Sequence, residues 1–278
     1  MSGSTALRLA GADALLLLHR ISTNAVADLA PGQVRATLFC DFRGRLLHRA
    51  VVGVTADAAV WLVRDDAPGD ELAAFLDRHI FRDDVRIEDR SPGQLVRRAA
   101  DPVGLAPGTL SERDGVPVAL HVGVGEVLMV GGAAGSAATG DDAARERLRV
   151  HAGRPAHDHE IAETFTPFEV GLAHEVHLDK GCFTGQEVLM RLITYRSVKR
   201  RLARVSGAGA SPVVPTDLLA DGRPAGVLTS AVADRDGWIG LAVVRHDVCE
   251  PPRALELTGR DSIGPPEPFP LTRPLGRP

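Results

Sequence analysis

The chain has 278 residues, 44% of them apolar, and a mean hydropathy near zero, which is typical of a soluble globular protein of about two domains. A net charge of -4 argues against a general nucleic-acid-binding protein, so we expect no DNA partner. The apolar run at residues 14–18 is far shorter than the roughly 20 residues of a membrane span. No secretory signal is convincing, so we expect a cytoplasmic protein without a membrane partner.

The first part of the chain mixes helix and strand patterns. Helices are predicted at residues 12–20 and 69–80, and strands at 59–63 and 85–88. Residues 33–54 predict a hairpin whose turn is at 41–44. Prolines at 102, 107 and 117 predict a loop-rich stretch before a strand at 126–130. A flexible loop at 131–140 and a helix at 141–150 follow. We expect an α+β body of two interleaved subdomains over residues 1–198.

The last part of the chain is rich in strand patterns. Short apolar runs separated by turns lie at residues 202–206, 225–230, 238–244 and 254–257, and they predict a small β-barrel over residues 199–263. Residues 264–278 are rich in proline and poor in apolar side chains. We expect this tail to be extended or disordered.

Cysteine usage limits the metal chemistry of the chain. The three cysteines form no C-x-x-C pair, which fits a reducing cytoplasm, and they cannot supply four thiolates to an iron–sulfur cluster. Residues 157–160 read H-D-H-E, but they lack the spacing of a zinc motif. We therefore predict no resident metal site.

One loop carries the reactive groups that the sequence singles out. Lys180 and Cys182 precede a helix-compatible run at residues 188–193, with Thr184 or Gly185 as the expected N-cap. A nearby ammonium group and a helix N-terminus both lower a cysteine pKa below its usual value of about 8.5. The pattern predicts Cys182 and Lys180 as catalytic residues; the alternative is a cysteine that only packs in the core.

The same loop resembles a family signature. Residues 180–187 read K-G-C-F-T-G-Q-E, which resembles the K-G-C-[FY]-x-G-Q-E motif of the YgfZ family, folate-binding proteins related to the aminomethyltransferase (T-protein) of the glycine cleavage system. Residues 11–13, 22–26, 166–172 and 226–230 are similar to further T-protein elements. The resemblance implies an α+β T-protein-like fold with a C-terminal small β-barrel, a tetrahydrofolate cofactor, and a role in the maintenance of iron–sulfur proteins.

One departure from these relatives concerns catalysis. T-proteins carry a catalytic aspartate in a G-x-x-x-D-D context, whereas residues 44–49 read G-R-L-L-H-R. Neither His48 nor Arg49 is a carboxylate, so the charge that would stabilise a cationic iminium-like intermediate is missing. We expect no glycine cleavage activity. His48 is either a general base or an exposed strand residue.

A second departure concerns the cofactor. The resemblance assigns folate binding to Arg149, His151, Glu169 and Gln186. Residues 149–155 resemble R-x-E-x-G-x-P, whose glutamate accepts hydrogen bonds from the pterin ring, and His151 replaces it. A neutral imidazole offers one acceptor where a carboxylate offers two oxygens. The alternative for His151 is a helix C-terminal residue favoured by the helix dipole.

The resemblance favours a YgfZ-like folate-binding protein that assists iron–sulfur cluster assembly or repair in client proteins. The main alternative is a tetrahydrofolate-dependent one-carbon transferase, or another enzyme that uses the T-protein fold for a small-molecule substrate. Loss of the family carboxylates fits such repurposing. A third possibility is a non-catalytic binding module in which Cys182 is structural.

Overall fold

The computed structural model describes residues 3–92, 94–99, 104–123, 126–131, 142–235, 237–257 and 262–276. Before the loop at residues 180–187, called the thiol loop because it carries Cys182, the elements are β1 (Thr5–Ala10), α1 (Ala14–Ile21), β2 (Val34–Cys40), β3 (Leu46–Val54), β4 (Val60–Arg64), α2 (Asp70–Asp77), β5 (Arg86–Asp89), β6 (Val96–Ala99), β7 (Leu110–Arg113), β8 (Val116–Gly123), β9 (Glu126–Val130) and α3 (Asp142–His151). They are followed by α4 (Gln186–Thr194), β10 (Arg200–Ala208), β11 (Thr216–Ala220), β12 (Arg223–Asp234), β13 (Gly237–Arg245), β14 (Leu255–Leu257), β15 (Ser262–Ile263) and β16 (Glu267–Pro268).

The body is built around a five-stranded antiparallel sheet of order β2-β3-β4-β1-β5. Val60 and Leu62 of β4 pack towards α1 and α2, while Trp61 and Val63 pack towards a second sheet of order β6-β9-β8-β7. Side chains alternate between the two faces of a strand, and both faces are covered here. Every residue of β4 is therefore buried.

The strands β10 to β16, in the last part of the chain, form a seven-stranded antiparallel sheet of order β15-β14-β11-β12-β13-β10-β16. One cluster of buried apolar side chains, which includes Trp238 and Leu218, joins the strands of this sheet. A second cluster joins Leu241 and Val243 of β13 to the body through Phe165 and Leu189. Strands and body therefore share a continuous apolar contact, and α4 lies within it.

The proline-rich tail is extended and well anchored as far as the structure describes it. Glu267 pairs with Arg204 in the β16–β10 ladder, and the Arg201 guanidinium donates to the Phe269 carbonyl at 2.7 Å. Further on, Leu275 exchanges backbone hydrogen bonds with Val176 and Leu178 at 2.8 and 2.9 Å. The tail thus crosses from the barrel back to the body.

The sequence patterns predicted most helices and strands, but not all. Seven of the described strands were not predicted: β1, β6, β7, β8, β11, β15 and β16. The loop-rich interpretation of the proline stretch is wrong for residues 110–123, where β7 and β8 form a hairpin. Pro117 is tolerated because it lies at a register shift opposite Glu112, where a ladder bond is already interrupted. Apart from Gly131, the predicted loop at 131–140 lies outside the described residues. No helix in the described ranges is long and apolar enough to cross a membrane.

Candidate functional site

The thiol loop, residues 180–187, is fixed against the hairpin of β2 and β3. Gly185 is the N-cap of α4, one of the two predicted caps, and its φ of 82° lies in the left-handed region. A Cβ atom at this position would lie 2.6 Å from the Asp41 carbonyl oxygen. Glycine is therefore required both for the backbone conformation and for the close approach of the hairpin turn.

Lys180 connects the thiol loop to α1. Its ammonium group donates to the His19 carbonyl and lies 5.0 Å from the centre of the Phe183 ring. The His19 Nδ1 atom accepts the Val26 N–H, so Nε2 carries the proton that is donated to the Lys180 carbonyl at 2.9 Å. Burial lowers the pKa of Lys180 to about 8. Among the described contacts, the ammonium group bonds to His19 and not to Cys182.

Cys182 is the exposed thiol of this chain. Cys40 and Cys249 are buried, and burial raises the pKa of each. Gln186, at the first position of α4, donates its side-chain amide to the Leu178 carbonyl at 3.2 Å. The loop therefore presents Cys182 to solvent, while Lys180 and Gln186 hold the loop in place.

The position of the family's acidic pair holds a buried cluster of arginine, histidine and carboxylate side chains. The Arg64 Nη1 atom lies 3.4 Å from Nδ1 of His48 and 3.0 Å from Nε2 of His157, and it donates to both rings. Burial, reinforced by the Arg64 charge, lowers the pKa of His48 to about 3. His48 is therefore neutral at physiological pH. It is also buried, so the exposed-strand interpretation is wrong.

The two carboxylates of this cluster are both paired. Arg49 and Glu175 form an ion pair at 2.6 Å, and their side chains are 12% and 3% exposed. Asp66 accepts the Nδ1–H of His157 at 2.9 Å. Burial alone would raise the pKa of Asp66, but the His157 bond outweighs it and the pKa falls to about 2. The space bounded by Arg49, Arg64, Asp66 and neighbouring residues is only about 10 Å³, enough for about one water molecule.

Arg149 belongs to a second buried network, which joins the body to the barrel. Its guanidinium donates to Glu160 at 2.9 Å, to Glu146 at 2.6 and 2.8 Å, and to the Ser230 hydroxyl at 2.5 Å. Glu160 is fully buried and also accepts from Thr229. Burial alone would lower the pKa of Arg149, yet the two glutamates raise it. Thr229 and Ser230 of β12 thus anchor α3 to the barrel.

His151 lies two residues further along α3, at the edge of the barrel. Its side chain is 48% exposed, and Nε2 lies 3.6 Å from a carboxylate oxygen of Asp234 on β12. Sequence analysis did not identify Asp234, because it is far from α3 in the chain and belongs to no motif. The structure therefore places a carboxylate beside the imidazole that replaces the family glutamate.

Glu169 accepts hydrogen bonds from neighbouring side chains and backbone. Arg200 donates to one of its oxygens at 2.7 Å, and the Thr166 N–H and hydroxyl donate to the other at 2.8 and 3.0 Å. Arg200 also stacks over the Phe165 ring, with 5.3 Å to the ring centre. Described contacts do not join Glu169 or Gln186 to Arg149 or His151, so the structure distributes the four expected folate residues over three separate places.

The H-D-H-E segment is divided among different partners. His157 bonds to Asp66, His159 bonds through Nδ1 to the Thr229 carbonyl at 2.8 Å, and Glu160 pairs with Arg149. In the part of the chain that the structure describes, no group of three or more His, Cys, Asp or Glu side chains is placed to hold a metal ion.

Comparison with known proteins agrees with this architecture. Residues 1–96 match the model of the GCVT N-terminal domain, and residues 199–261 match that of the CAF17 C-terminal beta-barrel domain. A chloroplastic "putative transferase" of Arabidopsis thaliana is 28% identical over 273 residues, which is 86% of this chain and 63% of the relative. This chain thus spans less than two thirds of that protein.

Aminomethyltransferases are also among the relatives. The enzyme of Geobacillus kaustophilus is 26% identical over 289 residues, 89% of this chain and 78% of the enzyme. The crystal structure of aminomethyltransferase T from Bartonella henselae superposes with a TM-score of 0.76 over 96% of this chain and 83% of that one. At 18% identity, this likeness shows the fold alone. The expected fold is confirmed, and the chain is a YgfZ-like relative of the T-protein, with a GCVT-type N-terminal domain and a CAF17-type β-barrel.

Proposed function

We propose that this chain is a cytoplasmic tetrahydrofolate-binding protein that has lost glycine cleavage activity and assists the assembly or repair of iron–sulfur enzymes. The GCVT-type N-terminal domain and the aminomethyltransferase relatives support a folate ligand. The CAF17-type barrel and the K-G-C-F-T-G-Q-E loop support the YgfZ-like role. Cys182, the exposed thiol, is the residue that we assign to this role.

The loss of cleavage activity rests on one observation, the chemistry at positions 48 and 49. A cationic iminium-like intermediate needs a negative group that is free to face it. Here the matching side chains are a neutral imidazole and a guanidinium, and both carboxylates of the cluster, Asp66 and Glu175, are already paired. Arg49 and Arg64 would repel a cation at this point. The cluster therefore stabilises the body instead of the intermediate.

The pair of His151 and Asp234 supplies the acceptor that a pterin needs. A pterin is held through its N–H groups, for which a carboxylate with two oxygens is the better acceptor. Asp234 carries such a carboxylate beside the half-exposed His151. Tetrahydrofolate, when bound, would supply a one-carbon carrier. The role of this chain's residues is to accept the pterin N–H groups at Asp234 and to keep Cys182 accessible.

Calorimetric titration with tetrahydrofolate and its formyl derivative tests the folate part. We expect saturable binding with a dissociation constant below about 1 mM. That limit corresponds to a binding free energy of only about 4 kcal/mol, which is less than an adapted cofactor site should provide. Asp234→Asn should weaken binding about tenfold, since it removes a charged acceptor. Asp221→Asn is the matched control, because Asp221 is an exposed aspartate of the same barrel.

The double variant His151→Glu with Asp234→Asn should recover wild-type affinity, because it returns one carboxylate to the family position. Absence of saturable folate binding by the wild-type chain would overturn the folate assignment. Equal affinities of Asp234→Asn and wild type would overturn the role of Asp234 alone.

A cleavage assay tests the negative part of the proposal. The chain is incubated with an aminomethylated carrier protein and tetrahydrofolate, and ammonia release is measured. We expect no release above background. Turnover would show that positions 48 and 49 do not decide the reaction.

A one-carbon transferase is the second candidate, favoured by the name of the Arabidopsis relative. The two functions predict different effects of deleting the gene. Deletion of the gene should lower the activity of iron–sulfur enzymes if the first proposal is right, and Cys182→Ala should fail to restore them. Normal iron–sulfur enzymes in the deletion strain, together with folate-dependent turnover of a small substrate by the pure protein, would favour the transferase.

A further inference from the structure

A cavity of about 510 Å³ lies between the five-stranded sheet and the β7–β8 hairpin, away from the thiol loop and α3. Its size falls in the range of about 300–1,000 Å³ that is typical of small-molecule sites. The lining residues are Arg8, Asp57, Trp61, Arg90, Pro92, Gln94, Asp114, Gly115 and Val116. No feature of the proposed folate function uses them.

An unpartnered donor lines this cavity. Trp61 is 2% exposed, and its indole Nε1 finds no hydrogen-bond acceptor among the described residues. A buried N–H normally has a partner, and the orphaned ones call for an explanation. Trp61 lies directly opposite Arg8 across the β1–β4 ladder, so both side chains project from the same face of the sheet. A ligand acceptor in the cavity would satisfy the indole.

The two cations beside the indole, Arg8 and Arg90, each pair with a carboxylate but do not use all their donors. Arg8 reaches Asp57 and Glu88 only at 3.5 Å, the outer limit of a hydrogen bond. Arg90 binds Glu88 at 2.6 Å but remains 56% exposed. Both guanidinium groups therefore retain donors that a carboxylate can use.

The other charged groups of the lining are acceptors. Asp57 is held by the Thr55 hydroxyl through Oδ1, and its Oδ2 atom is the one that reaches Arg8. Asp114 stands at the turn of the β7–β8 hairpin. The opposite wall is fixed because the Ser91 hydroxyl accepts the Ala6 N–H at 3.0 Å and the Ser91 carbonyl accepts the Gln94 N–H at 3.0 Å. The cavity thus combines donors for an anion with acceptors for a second group.

We propose that this cavity binds a small organic carboxylate that also carries a hydroxyl or an ammonium group. Its carboxylate accepts from Arg8, Arg90 and the Trp61 indole, and its hydroxyl or ammonium group donates to Asp57 or Asp114. Pro92 and Val116 contact the carbon skeleton. The inference does not depend on folate binding.

Calorimetry on the full chain tests the assignment with malate and aspartate as the two probes, and with succinate and inorganic phosphate for comparison. We expect saturable binding of malate or aspartate, weaker binding of succinate because it lacks the donor group, and weaker binding of phosphate. The chain has two tryptophans, so a nitrogen–proton correlation spectrum shows two indole signals, which Trp238→Phe assigns. The Trp61 signal should shift on ligand addition.

Variants identify the site. Arg8→Gln and Arg90→Gln should each weaken binding about tenfold, as expected for a lost charge-assisted hydrogen bond. Arg113→Gln, an exposed arginine of β7 that does not line the cavity, should bind as the wild type does. No saturable binding of malate or aspartate up to about 10 mM would overturn the proposal. Unchanged affinity in both cavity variants, or phosphate binding as tight as that of the better probe, would also overturn it.

Discussion

Glu160→Gln tests whether the buried network between α3 and the barrel stabilises the protein. The carboxylate of Glu160 is fully buried and accepts hydrogen bonds from Arg149, Thr229, Ser230 and the Ala156 N–H. Glutamine keeps the shape but removes the charge, and its NH₂ group must face at least one donor. Removing one partner of a buried ion pair costs about 3–5 kcal/mol.

The remaining Glu146 partner reduces this cost, because it still neutralises Arg149. We therefore expect a loss of about 3 kcal/mol, at the lower end of the range. For a chain of 278 residues that corresponds to a fall in Tm of about 5 °C. The magnitude can be measured by urea unfolding and by a thermal melt followed by circular dichroism.

Glu146→Gln is the matched control. Glu146 bonds to the same guanidinium, but its side chain is 34% exposed, so we expect a loss of about 1 kcal/mol or less. If the two variants unfolded with the same free energy, the buried network would not be what holds α3 to the barrel. Arg149 would then be available for the ligand role that the family resemblance assigns to it.

Three further predictions concern titration and reactivity. Folding lowers the pKa of His48 from 6.5 to about 3, so between these two pH values the unfolded chain binds more protons than the folded one. The free energy of unfolding should therefore drop by about 1.4 kcal/mol per pH unit as the pH falls below 6.5. Urea unfolding at several pH values should show this slope in the wild type and a smaller one in His48→Gln. Cys182 should react with iodoacetamide in the folded protein, whereas the two buried cysteines should react only after unfolding. Mass spectrometry of the labelled peptides checks this, and labelling of all three cysteines at equal rates in the folded protein would contradict it. The chain has only two lysines, so in Lys199→Arg the acylation rate of Lys180 should be half-maximal near pH 8, and a midpoint above pH 10 would show that burial does not lower its pKa.

The sequence alone determined the local structure around the thiol loop. Gly185 was one of two predicted caps of α4, because glycine before an apolar helical run is a local signal. The hairpin of β2 and β3 followed from two strand-compatible runs joined by the turn-like segment at 41–44. The missing acidic pair at positions 48 and 49 was also visible, since it needs only a comparison of residue types. These features depend on neighbours close in the chain.

Only the tertiary structure decided the partners of the charged residues. Arg49 pairs with Glu175, Arg149 with Ser230, and His151 with Asp234. Such pairs join segments that are distant in the chain, and periodicity and propensity carry no information about them. The path of the chain brings them together, and burial then makes each pairing necessary because an isolated charge inside the protein is costly. For the same reason the sequence identified Arg149 but not its structural partners, and it identified His151 but not the carboxylate beside it.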